Sequence, residues 1–263
     1  VINSDGTMSD ATRTVIEQAI AEGIEIVPVS GRAFATFPES IGQIKGISYA
    51  VTSNGAAIYN KKTGERIHGV AIEYADLHSI LDAFAHYFHN GQITYEAFVD
   101  GVAYGGREYV EHPEAFGVPE RNVAYVQSTR KPVDDIIAFL SEHEEELDSL
   151  DIVAADTALY QKIEEQIPLV TKSVYTTSAV SYRLEISHKN SGKATGLAYV
   201  LKLLDITPEE TVAFGDGDND AEMLEFAGLG VAMENATENC KAAADIVCDC
   251  CKNDGVARFL YGF

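Results

Sequence analysis

Gly215-Asp216-Gly217-Asp218-Asn219-Asp220 places three carboxylates and an amide on six consecutive residues. The apolar run Val212-Ala213-Phe214 precedes it, and Met223, Leu224, Phe226 and Ala227 follow at helical spacing. The acids therefore fall on a glycine-opened turn between a buried strand and a helix, where open α/β sheets bind ligands. Carboxylates crowded on a turn repel one another unless a cation joins them. Oxygen donors of this kind suit Mg²⁺ or Ca²⁺. The run reads as half of a metal-dependent phosphate-handling site, although the same residue types also form ordinary solvated turns. An EF-hand is excluded, because its sixth and twelfth positions need Gly and Glu and are here Ala221 and Ala227.

Three other features could serve the same chemistry. Ser30-Gly31 ends the apolar stretch Ile24–Val29, where a hydroxyl and backbone N–H groups can hold phosphate oxygens. Lys193 follows Asn190-Ser191-Gly192 at the start of a helical pattern. A lysine there opposes the helix dipole, which suggests another reason for its placement. It is not a P-loop lysine: Ser187 stands where that motif needs its first Gly, and Ala194 follows the lysine. Asn54-Gly55 follows a strand and is compatible with a simple turn.

The elements that must position these residues alternate at both ends of the chain. A helix is expected over 9–22, capped by Ser9 and ended by Gly23. Strands follow over 24–29 and 47–51, then a hairpin of 57–59 with 66–70. From Lys193 the pattern is helix 193–203, strand 211–214, helix 219–226, strand 229–232, helix 236–243 and strand 245–249. Between them the rhythm is α+β, with helices near 75–89, 132–147 and 156–166 and strands near 92–99, 122–127, 150–154 and 174–186. The fold class is therefore α/β, a parallel-sheet core with an inserted α+β domain. The expected division is 1–71 and 184–263 for the core and 72–183 for the insertion.

The 263 residues carry a formal net charge of −22, from 19 basic and 41 acidic side chains. Such a surface repels nucleic acid and anionic membrane. No apolar run is long enough to span a bilayer, and the first residues lack the basic and apolar segments of a secretory signal. Cys240, Cys248, Cys250 and Cys251 contain no C-x-x-C pair and no following His, so buried thiols on a strand in a reducing cytoplasm are expected rather than zinc.

In order along the chain, these features resemble the haloacid dehalogenase superfamily, and within it the Cof-type sugar-phosphatase-like hydrolases. The matching residues are Val29-Ser30-Gly31-Arg32, Ser53-Asn54-Gly55-Ala56, Leu184-Glu185-Ile186 leading to Lys193, and Ala213 through Asp220. Gly230-Val231-Ala232-Met233, Asn235-Ala236, Ala244-Asp245 and Asp254-Gly255-Val256-Ala257 follow in the family's order. The resemblance implies an Mg²⁺-dependent phosphatase of small phosphorylated metabolites, with the middle of the chain as a cap. It implies Ser30, Gly31, Lys193 and Asn219 as phosphate contacts and Lys193 as the charge-neutralising catalytic group. Asp216 and Asp220 would serve the metal, with Asp220 orienting metal-bound water or Lys193, and Asp218 would be solvated. Tyr95, Phe98, Tyr104 and Tyr182 belong to the cap and read first as its core.

The family also needs Asp-x-Asp-Gly-Thr after its first strand, to attack phosphorus and to move the leaving-group proton. Asn3-Ser4-Asp5-Gly6-Thr7 is the only look-alike. Taken as the motif, it would put Asn3 at the nucleophile position and make the protein a non-catalytic pseudophosphatase. Against that, only Val1-Ile2 precede Asn3, fewer than a strand needs, and only Met8 separates Thr7 from the Ser9 cap. The favoured expectation is that the motif precedes Val1 and that the chain as given is inactive or impaired; loss of the first strand would leave its two neighbours unpaired, so that either other residues or a rearrangement fill the gap or the chain is marginal.

Overall fold

The computed structural model describes residues 2, 3 and 6–261. They form two compact units. The first draws on Val1–Ser30, Phe37–Ile67 and Gly192–Phe263, and the second on Gly31–Thr36 and His68–Ser191.

The first unit is built from βα alternation. Strands Val212–Gly215, Leu229–Met233 and Ile246–Cys248 form a parallel sheet in that order. Helix Lys193–Leu204 packs on it through Leu197 and Leu201, which meet Ala213, Met223, Leu224 and Ala232. This apolar cluster is what fixes the helix, since most helical stability comes from packing one face. A second sheet pairs Tyr49–Thr52 with Ala57–Asn60 antiparallel, and Arg66–Gly69 continues it. Helix Asp10–Ala21 begins where the Ser9 side chain accepts from Thr12 N, which satisfies one of its orphan N–H groups.

The expected strand over 24–29 does not form. Its one ladder element is a parallel bridge between Val29 and Val51, made by Ser30 N to Val51 O at 3.0 Å and Val51 N to Pro28 O at 2.9 Å. Pro28 has no N–H to extend the ladder. Among the described residues, no strand pairs with the other side of this segment. Nor does any pair with the free side of Val212–Gly215, which lies at the edge of its sheet.

The second unit centres on a six-stranded sheet in the order Arg130–Val133, Val102–Gly106, Ile93–Val99, Leu147–Ala154, Arg183–His188, Val174–Val180. Alternation along the strands separates two faces. Tyr95, Leu150, Ile152, Leu184 and Ile186 join Leu77, Ile80, Phe84, Leu140 and Ile163 of helices Tyr74–His89, Ile136–Glu142 and Thr157–Val170. The opposite alternation carries Glu96, Asp151 and Glu185, paired across neighbouring strands.

Three expectations for this unit are corrected. Residues 122–127 are helical within Glu120–Thr129, not a strand. Pro119 sets up the helix start, and Val123 and Val126, three apart, pack with Tyr109 and Phe116. A single helix over 132–147 is replaced by strand Arg130–Val133, helix Ile136–Glu142 and the start of strand Leu147–Ala154. There Asp135 caps the helix by accepting from Ile137 N and Ala138 N. Residues 174–186 form two strands rather than one. The cysteines differ as well: only Cys240 is buried, and it lies on helix Glu238–Ala242.

Candidate functional site

The acidic run lies where the sequence places it, at the carboxyl end of Val212–Gly215. Asp218–Asp220 make one 3₁₀ turn before helix Ala221–Phe226. Gly215 permits this turn to fold back, because a Cβ there would stand 2.4 Å from Asp220 Cβ. The result is a division of labour among the three acids. Asp216 and Asp218 are exposed, while Asp220 is 5% exposed.

Both oxygens of Asp220 are engaged. Oδ2 accepts from Asp216 N at 2.9 Å and Gly217 N at 3.0 Å, and Oδ1 accepts from Lys193 Nζ at 2.6 Å. Lys193 is 7% exposed and also donates to Asn219 Oδ1 at 3.1 Å. Asn219 Nδ2 in turn donates to Asn54 Oδ1 at 3.1 Å. A buried ammonium needs this company, since an unpaired one would lose its proton instead.

Asp216 is held less tightly. Its backbone carbonyl accepts from Thr237 N at 3.0 Å, and Asn235 Nδ2 lies 3.4 Å from Oδ2. Asp218, expected to be merely solvated, accepts from Thr237 Oγ1 at 2.6 Å. Thr237 also caps helix Glu238–Ala242 through Cys240 N. The negative potential of the run reaches Cys240, whose thiol is pushed up to about 11 by burial first and then by Asp220 and Asp216.

Ser30 reaches the same neighbourhood through the backbone: Asn54 N donates to Ser30 O at 3.1 Å, and Gly192 N donates to Asn54 O at 2.8 Å. Thus Ser30, Lys193, Asp216, Asn219 and Asp220 all belong to the first unit, tied through Asn54. Gly31 groups with the second unit. Asn3 takes no part in this network: its backbone N–H donates to Thr7 O at 2.9 Å and its side-chain amide to Thr7 Oγ1 at 3.1 Å. Ser4 and Asp5 lie outside the described residues.

Among the described residues, no three His, Cys, Asp or Glu side chains converge as a complete metal site. The donors present fit one side of a hard-cation site. Asp216 offers an exposed carboxylate, and the local field is negative. Asp220 is committed to Lys193 and the backbone. Sequence reasoning missed Asn54, Asn235 and Thr237 as partners of the acidic run. The resemblance had marked the first two by position only, and Thr237 carried no signal beyond that of a helix cap.

The sequence pattern of the haloacid dehalogenase-like hydrolases matches residues 1–260. Phosphatase YwpJ of Bacillus subtilis (strain 168) is 30% identical over 284 aligned residues, covering 99% of this chain and 95% of that protein. A putative phosphatase of Haemophilus influenzae is 30% identical over 267 residues, covering 99% and 93%. The solved structure of a haloacid dehalogenase-like hydrolase from B. subtilis superposes with a TM-score of 0.82 at 26% identity, covering 99% of this chain and 95% of that one.

Proposed function

The chain belongs to the haloacid dehalogenase-like hydrolases, and on that premise we propose that it is an Mg²⁺-dependent phosphatase of small, sugar-phosphate-like metabolites. The observation that carries this reading is the buried Lys193–Asp220 pair beside the exposed Asp216 carboxylate. The ammonium of Lys193 has three donors and uses two of them on Asp220 and Asn219. The third, with the positive charge, offsets the negative charge of a phosphoryl group. The second N–H of Asn219 and the Ser30 hydroxyl supply further donors to its oxygens. Asp220 holds the lysine in place. Asp216 is the carboxylate that would hold Mg²⁺, which when bound shields the phosphoryl and attacking oxygens from one another. The second unit is the part we assign to selection of the leaving group.

We assign the attacking carboxylate and its proton-transferring partner to a strand preceding Val1. Two observations support this. Val212–Gly215 and the segment 24–29 each pair on one side only among the described residues. Apolar side chains are also exposed there, Val212 at 45% on its edge strand and Ile24 at 55% in the irregular segment, as expected where a partner is awaited. The pseudophosphatase alternative, with Asn3 at the nucleophile position, is disfavoured by the engagement of the Asn3 amide with Thr7.

The test compares Mg²⁺-dependent hydrolysis of p-nitrophenyl phosphate by this chain and by one extended upstream in its natural reading frame. The extended protein is expected to turn over, and this chain to be inactive or strongly impaired. Equal, robust rates in both would remove the upstream nucleophile, and an inactive extended protein would remove the phosphatase reading itself.

A further inference from the structure

Ser53, Asn54 and Gly55 take φ of 49°, 52° and 91°, three successive residues in the left-handed region. A single non-glycine residue there costs on the order of 1–3 kcal/mol and persists only where its surroundings hold it. The holding groups are on both sides. Asn54 N donates to Ser30 O, and Asn54 O accepts from Gly192 N. Gly55 is required by the same closeness, since a Cβ there would stand 2.0 Å from Gly192 O. The strained turn is therefore clamped between the residue that ends the 24–30 segment and the residue that opens the Lys193 helix.

The clamp aims one side chain. Asn54 is 2% exposed, and its Oδ1 accepts from Asn219 Nδ2. An Asn amide has a carbonyl end and an NH₂ end that are nearly the same shape, so its orientation is decided by its partners. An acceptor at Asn54 draws the NH₂ end of Asn219 toward itself and leaves the carbonyl end facing Lys193 Nζ. With the amide reversed, two N–H donors would face a buried ammonium. We propose that Asn54 is a positioning residue of the phosphate site, orienting Asn219 and, through it, the ammonium of Lys193. This rests on the phosphatase reading for its kinetic consequence, whereas the orienting contact does not.

The test uses the upstream-extended protein and four variants: Asn54→Gly, Asn54→Asp, Asn219→Ala and the double variant Asn54→Gly/Asn219→Ala. Glycine tolerates the left-handed backbone and deletes only the amide. Aspartate tolerates it too and keeps the acceptor. With p-nitrophenyl phosphate and Mg²⁺, Asn54→Gly is expected to lower kcat about 10- to 100-fold, the scale of a small misplacement. Asn54→Asp should recover most of that loss, and the double variant should be no slower than Asn219→Ala alone. Independently of turnover, the side-chain amide protons of Asn219, followed by NMR, should exchange with solvent faster in Asn54→Gly than in the unsubstituted protein. Additive losses in the double variant, wild-type kcat in Asn54→Gly, failure of Asn54→Asp to rescue, or unchanged Asn219 exchange would each overturn the proposal. Inactivity of the unsubstituted protein would instead overturn the phosphatase reading, and the exchange measurement would then decide the role of Asn54.

Discussion

Among the described residues, acids are buried against cations in two places, and the two are finished differently. In the second unit, Glu96 is 0% exposed and accepts from Arg130 Nε at 2.9 Å, Arg130 Nη2 at 2.7 Å and the Tyr109 hydroxyl at 2.5 Å. Arg183 stands 3.5 Å from Glu96, 3.3 Å from Asp151 and 2.8 Å from Glu185. The guanidinium of Arg130 also lies over the Tyr125 ring, as does that of Arg32. In the first unit, Lys193 and Asp220 are equally buried, yet the adjacent Asp216 is exposed. The first arrangement closes on itself, with Arg130 and Arg183 each turned to protein acids. The second leaves the Asp216 carboxylate exposed beside the buried pair. A closed ionic cluster serves the fold that contains it, and an open one is available to a ligand.

Titration behaviour follows the same division. Burial pushes the Glu96 carboxyl up, but Arg130, Arg183 and the hydrogen bonds from Arg130 and Tyr109 outweigh it and hold it below the ordinary glutamate value. Asp151 goes the other way: burial pushes it well above the ordinary aspartate value, Arg183 opposes this, and Glu185 and Glu96 reinforce it. The same buried row thus favours the charged form at Glu96 and the neutral form at Asp151.

The sharpest way to break the comparison is to open the closed cluster. Arg130→Met leaves Glu96 charged, buried and short of its main partner, and should cost about 3–5 kcal/mol of folding stability in urea denaturation. A loss below about 1 kcal/mol would mean that water or Arg183 replaces the missing partner. The counterpart substitution at the open site is Asp216→Asn. It should lower kcat/KM for an aryl phosphate in the upstream-extended protein about 10²- to 10³-fold while changing stability by no more than about 0.5 kcal/mol. Comparable damage to stability would show that the two clusters do not differ in kind.

The smallest effect concerns Asp151 and has a definite sign. The unfolded chain releases this proton near the ordinary aspartate pKa, while the folded protein keeps it to a higher pH. Between those two values the folded state binds more protons, so this group makes stability fall as pH rises. Asp151→Asn removes that term. Its stability relative to the parent protein should therefore rise with pH above the ordinary aspartate range, as read from urea midpoints across a pH series. Glu96 contributes oppositely, with stability present above the unfolded value and lost as pH falls through the folded one. Parallel pH curves for Asp151→Asn and the parent would show that Asp151 ionises normally in the fold.

The alternation at the chain ends was legible because helices and strands there announce themselves locally. Ser9 caps its helix, the apolar run 212–214 is a strand, and Lys193 opens a helix as its spacing implies. Residues 122–127 do not form the expected strand although Val123, Tyr125 and Val126 are of strand-favouring types, because Val123 and Val126 also stand at helical spacing. Only packing against Tyr109 and Phe116 selects between strand and helix. The segment 24–29 was misread for a different reason: its composition suits a strand, but a strand requires partners, and no composition supplies them.

The sequence alone determined the α/β class, the family and the acidic run at a strand end, because each depends on residue types at short, ordered spacings. Tertiary structure alone decided what each polar group does. Asp220 became the partner of Lys193 from 27 positions away. Asn219 became the neighbour of an amide 165 positions away. Asp216 was left exposed although it sits on the same turn as Asp220. The hydrogen-bonding groups of an Asp or Asn are the same wherever it stands. Which of them are occupied depends on distances between segments that the chain brings together only when it folds.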